Sequence, residues 1–321
     1  MSDTDTPDAE PDQLGAAATL DFERKRRRRR RGTASAPRPE AAAAASGSGI
    51  VEVYEAHTAY IPHIPTYLRS LWSRREFLSE LAHSQLRSTR SSTALGGIWG
   101  LLDPLFQAAI YFFVFTAIRG SGGRPEHFLF VLITTMLLFQ ISTSALTDGG
   151  GSIRQGASLL LNSSFPRALL PLASVYKSIL RFQPALLIIV LAHIVLAAPT
   201  TWYLLWTPLL FAIQVVMATG FAFGMATITV YLRDAKNLTS YISRVLFFTT
   251  PIIVPLSLLE RYEEWLIYQP LYALFANYNR VLGGAALDGR LLGISVGWML
   301  VCFVSGSWAF IRREREFASR L

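Results

Sequence analysis

Cysteine occurs once in this chain of 321 residues, as Cys302 inside an apolar run, so no disulfide can close within one copy and the redox compartment is not readable. Charge is also scarce: Asp, Glu, Lys and Arg make up 16% of the residues, against about a quarter in an average soluble domain. The histidines, His57, His63, His83, His127 and His193, are scattered without paired spacing, which argues against a metal site. No G-x-x-x-x-G-K-[ST] is present, and the glycines of "GGIWG" and "DGGGS" lack the lysine that should follow them. Without that loop the chain cannot cradle a nucleotide's phosphates. No catalytic centre and no cofactor are therefore expected in this chain. Acids are rare in the apolar runs too, with Asp103 alone inside one and close to its end, which argues against an intramembrane proton relay.

What is abundant is apolar surface, 51% of residues, giving a mean hydropathy of +0.34. It collects into runs at about 98–118, 128–147, 169–197, 203–231, 242–259 and 291–311. Each reaches the length that a helix needs to cross ~30 Å of hydrocarbon. The pattern predicts an all-α integral membrane protein with six transmembrane helices. A seventh apolar stretch, 266–284, carries Pro270, Asn277, Asn279 and Arg280. Arginine and lysine favour the cytoplasmic side of short loops. Arg154, Arg167, Lys177 and Arg181, then Arg233, Lys236 and Arg244, then Arg312, Arg313, Arg315 and Arg320 fall on one side if both termini are cytoplasmic. Parity then requires 266–284 not to cross, and it is expected as a re-entrant pair of short helices broken near Asn277, between spans five and six.

Ahead of the spans, residues 1–65 read as a disordered, basic, uncleaved cytoplasmic extension and linker. Its cluster "RKRRRRRR", Arg24 to Arg31, suits anionic membrane lipids at about 1 kcal/mol per residue, and no nucleic-acid partner is expected. The following Ala/Pro/Gly/Ser-rich stretch is too poor in large apolar groups to order itself. Residues 66–94 differ: Leu68, Leu71, Trp72, Leu78, Leu81, Ala82 and Leu86 recur at helical spacing, with Arg69, Arg74, Arg75, Arg87 and Arg90 on other faces. That describes an amphipathic helix in the membrane interface. The six-span domain occupies 95–311 and a basic cytoplasmic tail 312–321.

Inside the spans, Lys177 and Arg181 are expected near a cytoplasmic end, where long side chains reach the interface. "GFAFG" at 220–224 has the spacing of a close helix contact. The rings of Tyr111, Phe112, Phe113, Phe115, Phe247 and Phe248 either pack or face lipid, or else line a path along which a sugar polymer slides. Periodicity leaves both open.

Four stretches in order resemble the permease subunit of ABC-2 type polysaccharide exporters, the group that moves O-antigens, teichoic acids and related cell-wall glycans. They are "REFLSELAHSQLRSTRSSTALGGIWGLLDPL", "NSSFPRALLPL", "YLRDAKNLTSYISRVLFFTTPIIVP" and "QPLYALFANYNRVL", covering roughly 66–311. The resemblance implies a homodimer over two copies of a separate ATP-binding subunit, which would bind ATP and Mg, and a lipid-linked polysaccharide as cargo. It implies that Asn162, Ser163, Ser164, Phe165, Pro166 and Arg167 couple the chain to that ATPase. Trp72 and Arg87, with the Leu95–Gly96 turn, would form a gate for the lipid-linked end. Spans one and five would enclose the channel, lined by Tyr111, Phe112, Phe115, Phe247 and Phe248. The site is then a multi-pass protein of a bacterial cytoplasmic membrane. Two features depart from the family pattern: the basic extension, and Asp103–Pro104 where Asn-Pro is commoner. Lysine occurs only at Lys25, Lys177 and Lys236 beside abundant arginine and alanine, a usage that suits a GC-rich genome such as an actinobacterium's and a galactan cargo. Export of a drug or small lipid, and a scaffold without cargo, are the alternatives.

Overall fold

The computed structural model describes residues 64–91, 98–119, 127–162, 165–232, 234–254 and 256–320. The basic extension and linker and the Leu95–Gly96 turn lie outside the described residues. Among the described residues all regular structure is helical. Two helices open it, α1 (Ile64–Ser73) and α2 (Arg75–Ser91), followed by α3 (Trp99–Arg119). Next come α4 (Phe128–Gln155), with a π-helical turn over Ala145–Gly149, and the short α5 (Ala157–Asn162). Then α6 (Leu169–Val195) leads through a 3₁₀ turn, Trp202–Trp206, into α7 (Thr207–Tyr231) and α8 (Ala235–Thr249). Short α9 (Leu256–Leu259) and α10 (Glu263–Leu266) precede α11 (Tyr272–Leu282), α12 (Gly289–Arg313) and α13 (Phe317–Arg320).

Five helical stretches are long and apolar enough to cross a membrane: Trp99–Ile118, Phe128–Gln155, Leu169–Val195, Trp202–Tyr231 and Gly289–Glu316. The chain is a multi-pass membrane protein. The run expected as a continuous helix over 242–259 differs. Helix α8 starts earlier, at Ala235, and stops after 15 residues, about 22 Å of rise. Proline at 251 ends it, because its ring forces the preceding residue out of the helical region; Thr250 sits at φ −92°, ψ 140°.

The break expected near Asn277 is also displaced. The interruption lies between α10 and α11, around Pro270, and α11 runs unbroken through Asn277. Asn277 is fully buried, and its amide is matched to one loop peptide: Nδ2 donates to the Asp288 carbonyl at 3.3 Å and Oδ1 accepts from the Asp288 N–H at 2.9 Å. Asp288 in turn caps α12, accepting from the N–H groups of Arg290 and Leu291 at 2.8 and 3.3 Å. A polar residue that looked like a helix breaker is instead what fastens α11 to the start of α12.

The core sits on α4 and α7. Close approach of backbones makes this possible. A Cβ on Gly220 would stand 2.4 Å from the Cys302 carbonyl carbon, so α7 and α12 meet where only glycine fits. This is one end of the "GFAFG" spacing; Gly306 of α12 packs on the Gly220 carbonyl in return. A Cβ on Gly149 would likewise stand 2.5 Å from the Ala222 Cβ, joining α4 to α7.

The amphipathic segment expected as one helix is two, hinged at Arg74. Leu78, Leu81, Ala82 and Leu86 of α2 pack against Ala173, Tyr176 and Leu180 of α6. Leu68 and Trp72 of α1 remain exposed beside Arg69 and Arg75, which is the arrangement of a helix that meets a membrane surface.

Candidate functional site

The segment between α5 and α6 is tied by polar bonds to two other parts of the fold. Helix α6 begins by using it: the N–H groups of Leu169 and Leu170 bond the carbonyls of Pro166 and Arg167, each at 3.1 Å. Its other partner is Glu314, at the end of α12. The Arg167 backbone N–H donates to Glu314 Oε1 at 2.6 Å, and the Arg167 guanidinium donates to the Glu314 carbonyl. The second carboxylate oxygen accepts from the Tyr67 hydroxyl of α1 at 2.7 Å. Burial, reinforced by the carboxylate beside it, pushes the Tyr67 phenol far above its ordinary value, so it remains a donor. Both oxygens of one partly buried carboxylate are thereby used by two different segments, and charge-assisted bonds of this kind are roughly twice as strong as neutral ones.

Apolar packing surrounds the node. Phe165 lies 5.4 Å, centroid to centroid, from Phe77 of α2, and a cluster containing Ile153, Leu160, Leu170, Phe223 and Phe310 closes beneath. Phe317 of α13 is fully buried against Phe310, so the chain end folds back onto the bundle. Phe165, Pro166 and Arg167 are half-buried. Asn162 closes α5, and its side chain, with Ser163 and Ser164, lies outside the described residues. Of the residues expected to couple the chain to an ATPase, Arg167 bonds Glu314 through both its backbone N–H and its guanidinium. Neither Tyr67 nor Glu314 was singled out from the sequence; Glu314 is an acid among the arginines of "IRREREF", and composition marks that stretch only as a charged end.

A second polar feature was missed. Helix α4 continues to Gln155, which brings Asp148 inside it, so Asp103 is not the only acid within a spanning helix. Lys177 is 7% exposed and pairs with Asp148, Nζ to Oδ2 at 2.6 Å. It stands eight residues into α6, about 12 Å along its axis, and is held by a partner rather than reaching for the interface. The π turn that contains Asp148 carries an extra residue, and such turns recur at functional positions. Gly149 and Gly150 sit against α7, where Thr229 Oγ donates to the Gly150 carbonyl. Arg181 lies one turn further on, its aliphatic stem covering Gly100 of α3.

Of the residues expected at the gate, Trp72 and Arg87 are described and stand on different helices, while Leu95 and Gly96 lie outside the described residues. Trp72, on α1, is 70% exposed with the Arg75 guanidinium 5.5 Å from its ring centre. Arg87, on α2, pairs with Glu80 at 2.5 Å, both mostly exposed, and such surface pairs contribute little.

The aromatic residues do converge in part. Tyr111 of α3 meets Phe247 of α8 at 5.6 Å, Phe247 meets Phe139 of α4 at 5.5 Å, and Phe139 meets Phe275 of α11 at 5.8 Å. Phe112 and Phe115 turn the other way, onto Phe128, at 6.4 and 4.8 Å. Phe248 stays 64% exposed, next to Phe247. Most of these rings therefore join helices within one copy. Among the described residues no group of three or more His, Cys, Asp or Glu could hold a metal ion.

No protein-family model matches the chain. Among curated proteins it is similar to the O-antigen export system permease protein RfbA of Myxococcus xanthus, 24% identical over 259 residues, which cover 79% of this chain and 98% of that one. An O-antigen export system permease protein RfbA from Klebsiella pneumoniae is 25% identical over 248 residues, covering 77% and 95%. The resemblance to permease subunits of polysaccharide exporters, first drawn from four short stretches, extends over most of the membrane domain.

Proposed function

We propose that this chain is the membrane subunit of an ATP-driven exporter of a lipid-linked polysaccharide in a bacterial cytoplasmic membrane, working as a homodimer with a separate ATP-binding subunit. The observation that carries the reading is the node at Glu314. Glu314, at the end of α12, bonds both Tyr67 of α1 and Arg167, whose segment in turn supplies carbonyls to the start of α6. A push on that segment from a partner would move the interfacial helices and two spans as one body, which is what a transporter that hydrolyses no nucleotide itself needs. Residues 162–167 are the contact surface in this scheme, with Arg167 transmitting inward.

The proposed topology has six crossings with both termini cytoplasmic. Helix α8 supplies most of the fifth crossing and the segment after Pro251 completes it. The turn that joins the two has protein partners: Asn279 Nδ2 donates to the Pro251 carbonyl at 2.5 Å and Gln269 Nε2 to Thr250 Oγ at 3.0 Å. Irregular backbone at membrane depth is tolerated where protein covers it. Helix α11, of 11 residues, rises about 16 Å, half the hydrocarbon thickness, and is read as re-entrant. In the dimer, α3 and α8 of the two copies face each other, with Phe248 and the outer rings of α3 toward the cargo and Trp72, Arg87, Leu95 and Gly96 flanking its access from the inner leaflet.

Depleting the protein is expected to trap lipid-linked glycan on the cytoplasmic side, and the purified chain should bring down an ATP-binding subunit whose turnover it raises. Normal glycan export after depletion would transfer the reading to a smaller lipid or drug. Absence of any ATPase partner would leave a scaffold.

A further inference from the structure

Helices α7 and α12 touch at Gly220 and Gly306, and beside that contact their surfaces border a groove of about 360 Å³ lined by Gly224, Ile228, Ser305, Trp308, Arg312 and Arg313. That volume lies in the range of small-ligand sites. Its long wall is apolar: Ile228 and Trp308 are exposed along it. Its mouth is cationic. The Arg312 guanidinium lies 5.2 Å from the Trp308 ring centre and that of Arg313 4.9 Å from Tyr231. Among the described residues neither arginine forms an ion pair, whereas the adjacent acids are engaged: Glu314 by Tyr67 and Arg167, Glu316 by Tyr231 and Arg320. The stacked rings hold both guanidiniums beside the groove, with no hydrogen-bond partner for either among the described residues.

Position along the helix fixes what can fill such a site. From Ser305 to Arg313 is about 12 Å of rise, so an apolar chain can lie along the groove while an anionic group stands at its end, at head-group level. Charge complementarity selects the occupant. A second copy fits poorly, because a two-fold contact here would set the same unmatched pair of guanidiniums of each chain against the other. We propose that this groove is a binding site for one anionic phospholipid, its phosphate held by Arg312 and Arg313 and one acyl chain lying over Ile228 and Trp308. Basic pockets between spanning helices recognise head groups in this way. The site depends on neither the cargo nor the ATP-binding subunit.

The full-length chain, purified in detergent and offered dioleoyl phosphatidylglycerol or dioleoyl phosphatidylcholine, tests it by native mass spectrometry. One phosphatidylglycerol should be retained with a preference of roughly 30-fold, the expectation for two interfacial arginines. Arg312→Gln with Arg313→Gln should abolish the preference, and Ala309→Phe, which fills the groove and leaves both charges, should lower retention of the lipid. The control pair Arg261→Gln with Arg290→Gln, at the other end of the bundle, should change neither. Equal retention of the two lipids by the unaltered chain, an equal loss in the control, or wild-type retention in both groove variants would each overturn the proposal.

Discussion

Helices α3 and α4 are adjacent in sequence and similarly apolar, yet α3 is mostly exposed and α4 mostly buried. Apolarity does not separate them. In lipid it offers no preference for a protein interior, since the surroundings are as apolar as leucine. What differs is small and polar content. Helix α4 carries Ser142, Asp148 and glycines at 149–151; Ser142 accepts from Gln214 at 3.1 Å, and Asp148 holds Lys177. Helix α3 instead presents Phe106, Ile110, Phe113 and Ile118, all more than half exposed. Bonds and close backbone contacts draw α4 inward, and α3 keeps a face for lipid or for another copy.

The contrast can be broken most strongly at Lys177. Lys177→Met leaves the partly exposed Asp148 without its partner and should cost about 1–3 kcal/mol; thermal unfolding in detergent reads it, and recovery in Lys177→Met with Asp148→Leu would assign the loss to the orphaned acid. Gly149→Ala is next. Its Cβ would meet Ala222 at 2.5 Å, and overpacking of this kind costs about 1–3 kcal/mol. Wild-type stability would show that α4 and α7 can separate at little cost.

Arg167→Ala removes one bond to Glu314 while its backbone N–H still donates. Coupled ATP turnover should fall by about tenfold, the kinetic equivalent of one good hydrogen bond, in a complex that still assembles. Unchanged turnover would confine the node to folding. The smallest effect on stability is expected at Phe113→Ala, within about 0.5 kcal/mol as for exposed positions generally. Dimer formation, measured by cross-linking, should nonetheless weaken if the α3 face meets a second copy, and an intact dimer would return that face to lipid.

The helical membrane class was legible because long apolar runs with few charges permit little else, and the positions of five runs match helices of spanning length. The residues of the polar seam were not legible. Asp148 follows the apolar run that defines the second span, and only the π turn and the glycines after it extend α4 far enough to enclose that acid. Lys177 looked like an interfacial anchor because its partner is 29 positions away in another helix. Asn277 looked like a breaker because a buried amide is costly unless matched, and the peptide that matches it belongs to the next loop.

The order and length of hydrophobic runs, the proline that ends α8 and the missing phosphate loop are properties of the chain itself, because local sterics and the cost of burying peptide groups act within a segment. Which helix lies at the centre, that Arg167 faces Glu314, and that two arginines stand beside an apolar groove were decided only when distant segments met. Lipid solvates every apolar face alike, so the selection falls to bonds and contacts whose two halves lie far apart in the sequence.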